Sequence, residues 1–367
     1  MTILIIFIIF VLFVAFYPII INLIRKQKFF PTLFTESLIS YIAGKKEEAI
    51  KKMEELVKTN SEFIDGYLYL IDWYQEKGEI EKAKKINELL SLRRNLPRDK
   101  ELIVFKKLSY FLAQDGRYFK AISLLEEIIK SGWKDRDSAS LLFTLYLKTE
   151  NYPLAIQFLN KYGNSLFDKK QLATFYAELG NRLLTKDKKE AKEYLEKSLK
   201  YDENSFYGLL YLGNYYENEK EYEEAISYWL KFLRNYPQKL SLIKDKLANA
   251  LFSLGRYEEL VNIYKEFGKE TKEKEYYWEI LEFYEKMENL KEAINILEKE
   301  KDKIPEIYLL LAKTYLKLND LEEAYKNLNS YIEIVKNREK INCPYCQKEL
   351  KEPIAICFEC WQWDVKG

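Results

Sequence analysis

The 367-residue chain contains no histidine. That absence removes the Ser-His-Asp triad, the Cys-His pair, the imidazole general base and every His-ligated metal. Cysteine is almost missing too, with four residues, all between positions 343 and 360. Glycine (12) and proline (8) are scarce. Sheets joined by tight turns draw heavily on both, so their shortage points to an all-α chain. No GxGxxG or GxxxxGK[ST] run occurs, so the glycine-rich cradles for nucleotide phosphates lack their signature. An excess of one charge is missing as well, with 59 Lys and Arg against 58 Asp and Glu. That balance argues against a nucleic-acid partner. No small-molecule substrate is indicated, and the chain reads as a non-enzyme.

What is present begins with a long apolar run. Residues 1–25 carry no charged side chain before Arg25. About 20 apolar residues suffice to span a bilayer, and a spanning helix tolerates a proline such as Pro18. A cleaved signal peptide wants a basic leader, a shorter apolar core and a small-residue cleavage site, none of which is evident. The run is therefore read as a single-pass transmembrane anchor, with 26–33 as a juxtamembrane linker. Positive charge follows the span at Arg25, Lys26 and Lys28. The positive-inside rule then puts the bulk of the chain on the cytoplasmic side.

From 34 to 338 the sequence repeats itself. The clearest unit is FYGLLYLGNYYENEKEYEEAISYWLKFLRNYP, with Leu212-Gly213, Tyr216, Ala225, Trp229 and Pro237 in the tetratricopeptide (TPR) pattern of two packed helices. Other units are anchored by a small residue or Leu early in their second helix: Ala49, Ala83, Ala121, Ala155, Ala191, Ala225, Leu260, Ala293 and Ala324. Successive gaps run from 31 to 38 residues. Turns between paired helices are marked by Gly44, Gly78, Gly116 and Gly255, or by Asn and Asp as in LNDLEEA. The fold expected is a TPR superhelical solenoid of about nine repeats, because one pair cannot bury its own apolar face and must stack on the next. The first unit is weak, with Glu36 and Ser40 where apolar residues are expected, and the fifth is off-pattern. Most of the 30 tyrosines and 21 phenylalanines then belong to seams. Polar residues of first helices that should face the concave groove are the partner-binding candidates: Asp72, Gln75, Asn214, Glu217 and Lys313.

At the far end, Cys343-Pro-Tyr-Cys346, ten residues, then Cys357-Phe-Glu-Cys360 form two CxxC knuckles. Each knuckle aims two thiolates at one ion, and four sulfurs suit tetrahedral Zn²⁺ or the Fe of a rubredoxin-like site. Reduced metal ligands fit a cytoplasmic location. Four protein sulfurs close the coordination shell, so residues 339–367 read as a structural staple folded by its metal. A redox protein using iron at these cysteines is a further reading, and reversible reduction would mark it.

The order of parts is similar to that of the lipopolysaccharide assembly protein B (LapB/YciM) family over essentially the whole chain. The ten-residue gap between knuckles, Trp363 three residues after the last cysteine, FYAELGNRLLTKDKKEAKEYLEKSLKYDENS as the off-pattern middle repeat, and YIAGKKEEAI and KGEIEKAKKI as first repeats carry the resemblance. One departure is Gln347, where the family usually has Gly. The resemblance implies an inner-membrane adaptor, a possible homo-oligomer, that works with the membrane protease FtsH. It implies promotion of LpxC degradation, or action on another lipopolysaccharide-pathway protein, and so restraint of lipopolysaccharide synthesis. The alternative is a generic membrane-anchored TPR scaffold for another envelope complex. A Cys343→Ala or Cys360→Ala variant is expected to lose its metal and destabilise the C-terminal repeats. Full metal content and an unchanged melting temperature in Cys360→Ala would refute the staple.

Overall fold

The computed structural model describes residues 32–338 and the backbone of 341–342 and 349–350. The apolar segment 1–25 and the four cysteines lie outside the described residues. Among the described residues no helix is long and apolar enough to cross a membrane, and no cluster of Cys, Asp and Glu could hold a metal ion.

The chain divides between Phe167 and Asp168 into two compact units. The first holds four helix pairs: α1 (32–42) with α2 (Lys46–Thr59), α3 (Ile64–Lys77) with α4 (Ile80–Ser91), α5 (Arg98–Gln114) with α6 (Tyr118–Lys130), and α7 (Arg136–Lys148) with α8 (Tyr152–Phe158). A single π turn, Leu159–Gly163, and a last turn, α9 (Asn164–Leu166), continue α8. The second unit holds five pairs: α10 (Lys169–Leu183) with α11 (Lys188–Tyr201), α12 (Phe206–Asn218) with α13 (Tyr222–Asn235), α14 (Lys244–Ser253) with α15 (Tyr257–Thr271), α16 (Lys274–Lys286) with α17 (Leu290–Glu298), and α18 (Glu306–Lys317) with α19 (Leu321–Arg338). A 3₁₀ turn, Pro237–Leu242, leads into α14. The strands β1 (Ile341–Asn342) and β2 (Glu349–Leu350) pair antiparallel, Ile341 opposite Leu350.

In each pair the first helix is designated A and the second B. Every anchor residue read from the sequence is the fourth residue of a B helix, and all nine are at most 4% exposed. A small side chain there lets the two backbones approach closely, and large apolar residues four, seven and eight positions on fill the seam. In α13 these are Trp229, Phe232 and Leu233, all fully buried. Gly213 completes that contact from α12, since a Cβ there would overlap the Trp229 indole. The core of the first unit gathers Met53, Leu56, Leu70, Trp73, Leu90 and Phe111, among others. That of the second runs from Leu195 to Leu311 through Trp229, Tyr276 and Tyr277.

The A-to-B turns share one geometry. At Gly44, Gly78, Gly116, Glu150, Lys220, Gly255, Glu288 and Asn319 the backbone is left-handed, with φ between +54° and +83°. The N–H of each donates to the carbonyl three residues back, and the next N–H to the carbonyl five back. This double bond closes the C-terminus of each A helix and reverses the chain. Helix B begins two residues after the left-handed position in all eight. The fifth pair differs: the N–H groups of Lys186 and Asp187 both reach the Leu183 carbonyl, and the Asp187 carboxylate caps α11 by accepting from the Glu190 N–H at 2.9 Å.

At the C-terminal end, α19 leaves Leu321, Tyr325, Leu328 and Ile332 exposed in one stripe, 40–69% each. Their spacing of four, three and four puts them on one helix face.

Two predictions arise here. Holding a residue with a Cβ left-handed costs about 1–2 kcal/mol, more than the roughly 0.5–1 kcal/mol of extra chain entropy that glycine brings to unfolding. Lys220→Gly is therefore expected to stabilise and Gly78→Ala to destabilise, each by on the order of 1 kcal/mol, read as opposite shifts of the urea midpoint. The second concerns Asp135, which caps α7 by accepting from the Ser138 N–H at 2.8 Å and from Lys106 Nζ at 2.7 Å. Burial alone pushes this carboxyl up, but those bonds outweigh it and hold the group below its ordinary range. A carboxyl whose folded pKa is depressed adds stability above its unfolded pKa, about 4, and loses it as the pH falls further. The melting temperature is expected to drop below about pH 4, and Asp135→Asn to flatten part of that drop in circular-dichroism melts.

Candidate partner-binding face

All five polar candidates lie on A helices. Asp72 and Gln75 sit three apart on α3, as Asn214 and Glu217 do on α12, and Lys313 lies on α18. That spacing puts each couple on one helix face. Gln75 is exposed and the other four are half-buried.

Four of the five are engaged by the neighbouring A helix. Lys107 of α5 donates to the Asp72 carboxylate. Lys246 of α14 donates to Asn214 Oδ1 at 2.8 Å and lies 3.4 Å from the Glu217 carboxylate. Lys313 lies 3.8 Å from Glu285 of α16 and stands over the Trp278 ring, 4.2 Å from its centroid. Gln75 has no side-chain partner among the described residues, which leaves its carboxamide open to donate and accept.

The same cross-repeat pairing recurs along the A helices of each unit. In the first, Lys100 donates to Asp65 and Lys106 to Asp135. In the second, Lys244 donates to Glu279 at 2.7 Å and Lys317 lies 2.8 Å from Glu285. The bonded carboxylates hold the Lys100 and Lys244 amines above their ordinary range. Exposed pairs of this kind contribute only about 0–1 kcal/mol each. Their effect is to fix register between neighbouring A helices and to neutralise charge on the face those helices share.

Sequence reasoning found one member of each couple and missed the other. Lys107, Lys246, Glu285 and Trp278 were not singled out. A signal for them exists in the repeat period: Lys107 follows Asp72 by 35 residues and Lys246 follows Asn214 by 32. Opposite or complementary side chains one repeat apart on a stacked array are neighbours.

Comparison with known proteins agrees with this geometry. Tetratricopeptide-repeat family models match residues 207–239, which span α12 and α13, and residues 183–205 and 305–336, the last spanning α18 and α19. No curated protein matches the chain in sequence. Among solved structures, the C-terminal part of a TPR repeat-containing protein from Cytophaga hutchinsonii is 18% identical, covering 68% of this chain and 94% of its own, with a TM-score of 0.46. YrrB, described as a TPR protein with an unusual peptide-binding site, is 17% identical over 53% of this chain and 97% of its own, with a TM-score of 0.38. MamA is 18% identical over 47% of this chain and 93% of its own, with a TM-score of 0.37. Two of the three matched stretches fall on helix pairs whose turns, anchors and seams recur in both units, so the described chain carries tetratricopeptide repeats in a helical fold.

Proposed function

We propose that this protein is an adaptor anchored in the inner membrane, its repeat array on the cytoplasmic side, that restrains lipopolysaccharide synthesis by bringing LpxC to the protease FtsH. The observation that carries the adaptor reading is the repeated A-helix face, a surface of amides, paired ions and aromatic rings suited to holding a polypeptide. Repeat arrays use such faces for protein partners. Asp72, Gln75, Asn214, Glu217 and Lys313 are the residues assigned to partner contact. The identity of the client rests on the family resemblance: an apolar segment, TPR units, then four cysteines in two knuckles.

The four cysteines would hold one Zn²⁺ or Fe ion, and the donor set of four thiolates fits either. The short ladder of Ile341–Asn342 with Glu349–Leu350 flanks the first CxxC pair in sequence. Metal would supply folding energy to a segment too small to form its own core.

The test is recovery of partners by full-length tagged protein from gently solubilised host membranes, read by mass spectrometry. FtsH together with LpxC or another lipid A enzyme is the expected result. A different envelope complex, with neither present, would overturn the client assignment and leave a scaffold. A host that makes no lipid A would overturn it outright.

A further inference from the structure

The outer side of the first unit breaks the repeat pattern at one place. Counted from the fourth residue of each B helix, the positions six and nine further on lie outside the seam and none is buried. Eight of the nine B helices hold only charged or polar residues there, such as Glu55 and Lys58 of α2 or Lys231 and Arg234 of α13. In α4 the two positions are Leu89 and Leu92, 60% and 78% exposed. The position two before the anchor is charged in seven B helices and Pro153 in another, whereas in α6 it is Phe119, 77% exposed. These exceptions sit on neighbouring helices. Arg117, just before α6, lies 3.4 Å from Glu88, and one cleft of about 500 Å³ is lined by Leu92 of α4, Leu108 and Leu112 of α5, and Lys120 and Leu124 of α6.

Each exposed apolar residue has a cation beside it. Lys85 precedes Leu89 by one helical turn, Arg94 follows Leu92 by two residues, and Lys120 follows Phe119 directly. All three are exposed, and their side chains make no ion pair or hydrogen bond among the described residues. Residues 80–98 hold six Lys and Arg against Glu81 and Glu88, the largest basic excess of any B helix with the loop that follows it. Glu88 is held by Arg117, so Glu81 and, just beyond the stretch, Asp99 are the acids without a bonded cation among the described residues.

Composition and tether together select the occupant. Lysine is depleted at the centres of protein–protein interfaces, so cations interleaved with exposed Leu and Phe suit such an interface poorly. A leaflet accepts that mixture: apolar tips sink below the headgroups and long basic side chains reach back to the phosphates. The tether brings the leaflet near. Eight residues, 26–33, separate the apolar run from the first unit and reach about 28 Å at most. The start of α1 and the loop after α4 lie on one edge of the array. Phe34 packs on Phe63 with ring centroids 5.3 Å apart, and Arg93 donates to the nearby Ser61 carbonyl at 2.6 Å. A short tether keeps the effective concentration high, so a contact too weak for a free protein is enough.

We infer that the outer side of α4 and α6 binds the anionic leaflet beside the anchor. Leu89, Leu92 and Phe119 enter the interface while Lys85, Arg94 and Lys120 meet lipid phosphates. The inference rests on the reading of residues 1–25 as an anchor and adds that the first unit lies against the membrane rather than hanging from it.

The test is amide hydrogen exchange, read by mass spectrometry, on full-length protein in nanodiscs of phosphatidylcholine alone or mixed with phosphatidylglycerol. Exchange over 89–97 and 117–124 is expected to be slower in the mixed discs and to recover at high salt. Arg94→Ala and Lys120→Ala each remove one cation and are expected to cut that slowing about fivefold, the worth of one basic residue at an anionic surface. Leu92→Ser, which leaves every charge in place, is expected to weaken it as well. All three residues are exposed, and an unchanged melting temperature checks that each variant folds. Equal exchange in the two lipids, or slowing that none of the variants alters, overturns the inference. So does a protein that wild-type membranes yield and the Arg94→Ala, Lys120→Ala double variant loses while exchange is the same in both lipids, since the patch then belongs to that protein. Carbonate extraction of host membranes tests the anchor by itself. A chain released by carbonate refutes the anchor and the inference with it, whereas a retained chain with equal exchange in the two lipids refutes the inference alone.

Discussion

The close crossing of each A and B helix at a small residue governs the rest of the structure. Eight of the nine positions hold alanine, and the ninth, Leu260, lies in a pair whose A helix brings Ala250 to the same core. A larger side chain at an alanine position would force the helices apart, and cores tolerate such overpacking poorly, at about 1–3 kcal/mol. With the crossing fixed, the seam residues on the next turns find their partners. The spacing of A helices, and so the reach of every side chain between repeats, follows from it.

Apolar seams and surface pairs then divide the work by magnitude. A buried Trp, Phe or Leu contributes roughly 1.5–3 kcal/mol, against about 0–1 kcal/mol for an exposed ion pair. The array stands on residues such as Trp229, Phe232 and Tyr276. The lysine–carboxylate couples add orientation. Tyrosine hydroxyls join the two kinds of contact: Tyr74 donates to Glu54 of the preceding B helix at 2.6 Å, and Tyr146 to Glu126 at 2.9 Å, each across 20 residues. One end of each ring is in the seam, and the other ties neighbouring repeats together.

Much of this was legible in the sequence because it is periodic. The anchors and the glycine turns recur at a near-constant interval, and the structure puts each where that interval implies. Glu150, Lys220 and Glu288 were not legible as turn residues, since neither residue type favours the left-handed region. There the closing hydrogen bonds of the turn override local preference. In the first pair, Ser40 and Glu36 looked like faults in an apolar pattern. Ser40 is buried, its hydroxyl donating to Glu48 at 3.3 Å, while Glu36 faces outward and pairs with Lys52 at 3.4 Å. The π turn at Leu159–Gly163 left no sequence mark, because one extra residue in a helical turn alters no composition. On the partner-binding face the candidates were legible one at a time and their couples were not, since pairing spans a whole repeat.

The exposed stripe on α19 gives the array an unfinished end. In a stacked array the outer face of the last helix is where another repeat would be laid down, and natural arrays normally finish in a polar surface. Leu321, Tyr325, Leu328 and Ile332 offer the opposite. A fragment cut after Arg338 would carry a growing tip. A copy seated on it through a different surface would expose the same tip again, and a head-to-tail contact of that kind does not close on itself. Covering α19 would therefore also keep the molecule discrete, where a bare tip can add end to end into filaments.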